Sequence, residues 1–204
     1  MARRLRDDLV ARGYHEAVSL AFMSPKWADL CGVTPVELDN PLGEETKFLR
    51  TDLRPALIEA AAVNRRHGRA RVKLCEYGSC FETDREWRGL AWLAHGATDP
   101  VEGFAQCRGE LEAVLGALGL HDLSFESLGD ADRILHPRSA AKIGSQGQNL
   151  GSIGELHPTL REGFELGSGL WLVQLDLHAV LAGACPLALF EALPRFPAVH
   201  RDLA

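Results

Sequence analysis

Apolar positions recur with a helical period at the start of the chain. In RRLRDDLVARGY, Leu5, Leu9 and Val10 fall at helical spacing, and Gly13 stands where a helix end accepts a left-handed residue. EAVSLAFM then switches to a period of two, with Val18, Leu20 and Phe22 on one side, which predicts a strand. SPKWADLCGV predicts a short helix opened by Ser24 with Pro25 in its first position. VELDNPLG runs extended into a turn. From Arg54 the pattern is helical again: Pro55 suits a first turn, ALIEAAAVNRRH is rich in helix formers, and Gly68 closes it.

RVKLCEYGSCF and RGLAWLAHG predict two strands joined by the polar connection ETDREW. PVEGFAQCRGELEAVLGALGL is the clearest helix, with Leu111, Val114, Leu115 and Leu118 on one face and Gly119 as its stop. Four strand-like runs follow, DLSFESL, SAAKIGS, QNLGSIGEL and LWLVQLDL. A hairpin is expected around Gln146-Gly147 and a short helix in HPTLREGFEL. Strands succeed one another without regular crossover helices. The expected fold class is therefore α+β, an antiparallel sheet with helices packed on it.

The 204 residues, 46% hydrophobic and 25% charged, suffice for one sizeable core and are short for two domains. No apolar run is long enough to span a bilayer, which takes about 18 residues. The Arg-rich start has no apolar stretch behind it, and Asp7 and Asp8 argue against a transit peptide. The cysteines, at 31, 75, 80, 107 and 185, form no C-x-x-C pair and read as reduced, cytosolic thiols acting as small buried hydrophobes. A net charge of −6 excludes a dedicated nucleic-acid binder by bulk electrostatics, so any RNA contact needs a local patch.

Candidate chemistry is sparse. The eight histidines are scattered, without the helical spacing a metal site wants. GSGLWL and GSIGEL look like phosphate loops but run into strands rather than helix N-termini, so they read as turns. No serine has a local base and orienting acid. The one electrostatic feature is NRRHGRARVK, where Arg65, Arg66, Arg69, Arg71 and Lys73 occur without an acid. It is either a solvated helix end or a patch for RNA phosphates or an acidic partner. Chemistry alone gives a soluble α+β domain with no visible active site.

A series of segments in order resembles the synthetase-core module of bacterial phenylalanine–tRNA ligase beta chains. RDDLVARGYHEAVSLAF resembles its opening helix and strand. LDNPLGEETKFLRTDLRPALIEAAAVN resembles its N-P-L-x-x-E…L-R-x-x-L-x-P-x-L-L…N signature. KLCEYGSCF resembles L-F-E-x-G-x-x-F, and FAQCRGELEAVLGALGL resembles K-G-x-x-E-x-L-L-x-x-L-G. LHPRSAAKI, LGSIGELHP and LPRFPAVHRDLA match three further blocks. Arg108-Gly109 replaces the usual Lys-Gly, and the glycine usual between Pro137 and Arg138 is missing.

The resemblance implies a class II aminoacyl-tRNA synthetase-like antiparallel sheet flanked by helices. It also implies a module lacking activity of its own. In catalytic relatives, a strand ending in Phe-Arg holds the ATP α-phosphate, and a last strand leads to a Gly-rich helix with a second arginine. Here EYGSCF continues into Glu82, a carboxylate where an arginine is wanted. Glu45, Arg50, Asp52 and Glu82 are then a relic loop with a structural role, Arg50 and Asp52 orienting it by mutual or backbone hydrogen bonds. No catalytic or metal-binding residue and no cofactor is expected in this segment, and ATP and magnesium belong to the whole enzyme. The implied partner is the catalytic alpha subunit in a cytoplasmic (αβ)2 heterotetramer, with tRNA bound by the assembly and no membrane. Residues 1–204 are expected to be one core domain excised from a longer beta chain. The competing expectations are a free-standing synthetase paralogue binding a nucleotide or amino acid near Arg50, Asp52 and Glu82, and an RNA-binding module.

Overall fold

A computed structural model describes residues 2–96 and 100–185, apart from the side chains of residues 2, 100 and 101. The closing block LPRFPAVHRDLA lies outside the described residues. The chain opens with helix α1 (Ala2–Ala11), which Gly13 ends at φ +87°. Two short strands follow, β1 (His15–Glu16) and β2 (Phe22–Met23), and then α2 (Pro25–Cys31), with Pro25 in its first turn. A 3-10 turn at Glu44–Thr46 and strand β3 (Phe48–Leu49) lead to α3 (Arg54–Arg66), whose last-turn arginines sit at the negative end of the helix dipole.

A hairpin of two 11-residue strands comes next, β4 (Val72–Glu82) and β5 (Arg85–His95), joined by only Thr83 and Asp84. After α4 (Pro100–Gly116) come β6 (Leu123–Ser127), β7 (Leu135–Ser145), β8 (Gln148–Leu156), α5 (Pro158–Gly163), β9 (Leu170–Asp176) and α6 (Leu177–Gly183). Gln146 and Gly147 both take positive φ, 49° and 79°, as the expected two-residue hairpin turn requires.

Seven strands form one sheet in the order β1-β4-β5-β9-β8-β7-β6, while β2 and β3 make a separate ribbon. Every neighbouring pair in the large sheet is antiparallel except β1, which runs parallel to β4 at the edge. The antiparallel α+β expectation therefore holds for all but that edge strand.

Helices cover both faces. On one, Leu5, Leu9, Leu111, Leu115 and Val180 of α1, α4 and α6 pack on Trp92, Ile153, Val173 and Leu175. On the other, Trp27, Leu57, Ile58 and Leu160 of α2, α3 and α5 pack on Leu74, Ala91, Leu93 and Leu172. Two covered faces explain why β5 and β9 carry nearly unbroken apolar runs rather than alternation.

Two expectations need correction. EAVSLAFM does not form one strand: only His15 and Glu16 join the large sheet, while Phe22 and Met23 pair with β3. Its alternation is real but turned outward, leaving Val18 92% and Leu20 69% exposed. Helix α6 was not expected, because LWLVQLDL reads as strand to its last residue. Its start signal is Asp176, whose carboxylate accepts from the backbone N–H groups of His178 (2.8 Å) and Ala179 (3.4 Å).

Candidate functional site

Residues 50–54 lie across the α3 face of the sheet. The backbone straps this loop down: Arg50 N–H donates to the Ala21 carbonyl at 3.0 Å, and Phe81 N–H to the Arg50 carbonyl at 2.8 Å. Alternation along β4 puts Val72, Leu74, Glu76, Gly78, Cys80 and Glu82 on the face beneath it.

The Arg50 guanidinium fills the space over β4. Its Nη1 donates to Glu76 Oε1 (2.6 Å) and Ser19 Oγ (2.9 Å), and its Nε to the Ser79 carbonyl (2.9 Å). Glu76 also accepts from the Ser19 hydroxyl and backbone N–H. Only a glycine at 78 permits this, since a Cβ there would stand 2.1 Å from Arg50 Nη2. Leu53 does the same over β5: it is fully buried, and a Cβ on Gly89 would lie 3.0 Å from its Cδ1. Its backbone N–H donates to Gln174 Oε1 of β9 at 2.9 Å.

The next residues anchor α3. Asp52 accepts from Arg54 N–H (2.7 Å), Nε (3.1 Å) and Nη2 (2.6 Å), and Arg54 Nη1 reaches Asp132 at 2.6 Å. Asp132 in turn accepts from the backbone N–H groups of Ile134 and Leu135. Burial works against the Arg54 charge, but Asp52 and Asp132 outweigh it and raise its pKa. Burial likewise opposes ionised Asp132, and Arg54 with the two backbone donors holds its pKa below the usual range.

The relic-loop residues are therefore not one cluster. Arg50 and Asp52 do not bond each other; their partners are Glu76 and Arg54. Glu82 accepts from Trp87 Nε1 at 3.0 Å, and Glu45 is solvent-exposed in the 3-10 turn. Glu76 and Gln174 were missed, although both leave a signal: each is a polar residue two positions after a buried strand leucine, Leu74 and Leu172. Ser19 and Asp132 leave none, since the side chains they meet, Glu76 and Arg54, are distant in sequence.

The two buried arginines, Arg50 and Arg54, are bonded to three carboxylates, Asp52, Glu76 and Asp132. Catalysis of phosphoryl chemistry depends on fixed positive charge aimed at the developing anion. Among the described residues, the last strand, β9, leads into a helix, α6 (LHAVLAG), that carries no arginine.

The basic segment is also divided by the fold. Arg65 Nη1 donates to the carbonyls of Arg69 (2.9 Å) and Ala70 (3.0 Å), and Lys73 pairs with Glu110 at 2.7 Å. Arg66, Arg69 and Arg71 have no side-chain partner among the described residues.

This architecture, with its long β4–β5 hairpin and helix-backed sheet, is that of a class II aminoacyl-tRNA synthetase core. Pyrrolysyl-tRNA synthetase from Desulfitobacterium hafniense matches it in two structures, at TM-scores of 0.71 and 0.72 and 18% and 17% identity. Each match covers 88% of this chain and 66% of that one. The chain belongs to the phenylalanyl-tRNA synthetase beta chain family, whose CLM domain model matches residues 1–177. Phenylalanine–tRNA ligase beta subunits from Nitrosococcus oceani (32% identical) and Pseudomonas syringae pv. tomato (36%) align over 98% of this chain. The chain spans 27% of the length of those relatives.

Proposed function

We propose that the chain is a non-catalytic, catalytic-like module of a phenylalanine–tRNA ligase beta subunit, a scaffold that packs on the catalytic alpha subunit. The observation that carries this reading is the loop over Gly78 and Gly89: the chain's own Arg50 and Leu53 occupy the sheet face on which Glu82 stands. ATP and magnesium then act with the alpha subunit, in the cytoplasm, within an (αβ)2 assembly that binds tRNA. The carboxylates Asp52, Glu76 and Asp132 do not fit a nucleotide–metal site, because each is committed to an arginine.

The partner is read from the sheet edge. Residues 17–21 present Val18 and Leu20 to solvent beside β1, and Val10 of α1 is 48% exposed nearby in sequence. Apolar side chains left exposed on a segment beside the sheet edge are a surface for another chain. Two measurements test the proposal. The isolated chain is expected to show no phenylalanine-dependent ATP–pyrophosphate exchange, and any such activity refutes the non-catalytic part. Mixed with the alpha subunit it is expected to elute as a complex, which Val18→Asp/Leu20→Asp abolishes while leaving the fold intact; an unaffected complex removes this edge as the interface.

A further inference from the structure

Between the end of α1 and the end of α3 lies a groove of about 550 Å3 lined by Gly13, His15, Asn64, Arg69, Arg71, Lys73 and the backbone beside them, with no carboxylate in its lining. The chain carries a net charge of −6, yet the charged residues lining this groove are all cations. The fold also constructs it: Arg65 ties the Arg69 and Ala70 carbonyls back to α3, which fixes the backbone that carries Arg69 and Arg71. Neither Arg69 nor Arg71 has an acidic partner among the described residues, whereas the Lys73 ammonium is held by Glu110. Two exposed guanidiniums on a fixed backbone thus remain for an outside anion. A neighbouring hollow of about 380 Å3 shares Arg71 and Lys73 and adds Arg12, but Glu102 and Glu110 enter its lining and end the single-sign track there.

We propose that this groove holds the sugar–phosphate backbone of a single RNA strand, with Arg69 and Arg71 each on a phosphate and His15 and Asn64 as hydrogen-bond donors beside them. A protein partner fits less well. Val72 and Leu74, the apolar members of the lining, are 5% and 9% exposed and offer no apolar contact. The cores of protein interfaces are depleted of charge, whereas phosphate recognition uses it in this form. The groove has no reader of base identity, so binding is independent of sequence.

The test is fluorescence anisotropy of a short labelled single-stranded RNA against the 204-residue chain over a range of potassium chloride. Arg69→Glu/Arg71→Glu is expected to weaken binding on the order of tenfold and to flatten the salt slope by roughly 1 to 1.5, the share of two phosphates on a single strand. Arg88→Glu/Arg108→Glu makes the same charge change elsewhere and is expected to act far less; both double variants are checked for an unchanged urea midpoint. Equal losses in the two variants, or full binding by the groove variant, overturn the proposal. So does poly-glutamate that displaces the RNA at equal charge concentration, which assigns the groove to an acidic protein segment instead.

Discussion

Arg50 and Glu76, 26 positions apart, meet as an ion pair of 2.6 Å with side chains 7% and 2% exposed. A buried pair of this kind contributes little over a well-packed apolar substitute, yet removing one member strands the other charge. Glu76→Leu is therefore expected to destabilise the chain by about 3–5 kcal/mol in urea unfolding. Arg50→Met/Glu76→Leu is expected to recover most of that loss. A double variant as unstable as the two single costs combined would contradict the stranded-charge explanation.

Gly78 supplies the space for the Arg50 guanidinium. Gly78→Ala is expected to cost about 1–3 kcal/mol, the usual range for overpacking. Most of the cost should vanish in an Arg50→Met background, because the clash is with the end of that side chain. Gly151 makes the contrast. Its φ is +150°, and a Cβ would meet the Gln174 carbonyl at 1.9 Å, so no side-chain trimming is expected to rescue Gly151→Ala.

His95 gives the pH dependence a defined sign. Burial and the nearby Arg65 charge lower its pKa below 6.5, with the Gly167 backbone opposing. The unfolded chain then binds a proton that the folded chain refuses. The stability tied to neutral His95 is complete above pH 6.5 and declines as pH falls toward the depressed folded value. Urea midpoints are expected to fall between pH 7 and mildly acid pH, and His95→Leu to flatten that interval. Asp132 and Glu110, both held below the usual carboxylate range, add a second loss at lower pH, which the variant retains.

Thiol chemistry separates the cysteines. Burial, with Glu16 adding to it, pushes Cys75 up to about 11; burial, with Asp52, pushes Cys31 up to about 12. Cys80 and Cys107 are raised further, while Cys185 is exposed. Titration with an aromatic disulfide is expected to show one fast thiol, lost in Cys185→Ser, with the rest reacting as the chain unfolds.

The fold was legible wherever local chemistry decides it. Gly13, Gly32, Gly68 and Gly119 all take the positive φ of a residue just past a helix, and Pro25, Pro55 and Pro158 stand in first turns. Strand β7 begins earlier than SAAKIGS predicts, at Leu135, because its register shifts between Leu135 and Ala140 and so accommodates Pro137. The site was legible only in outline. The charged loop stood out, but which charge meets which is a tertiary fact: Arg50 lies nearer Asp52 in sequence and binds Glu76, while Arg54 reaches 78 positions to Asp132.

The Leu53–Gln174 hydrogen bond, spanning 121 positions, has a consequence during synthesis. At ribosomal rates of about 5–20 residues per second, β9 emerges roughly 6 to 24 s after the loop it must receive. Until then the apolar underside of α3 has no finished sheet to rest on, and the nascent chain depends on chaperones or on its own collapse. Truncations that stop short of β9 should accumulate as aggregates rather than as a smaller folded domain.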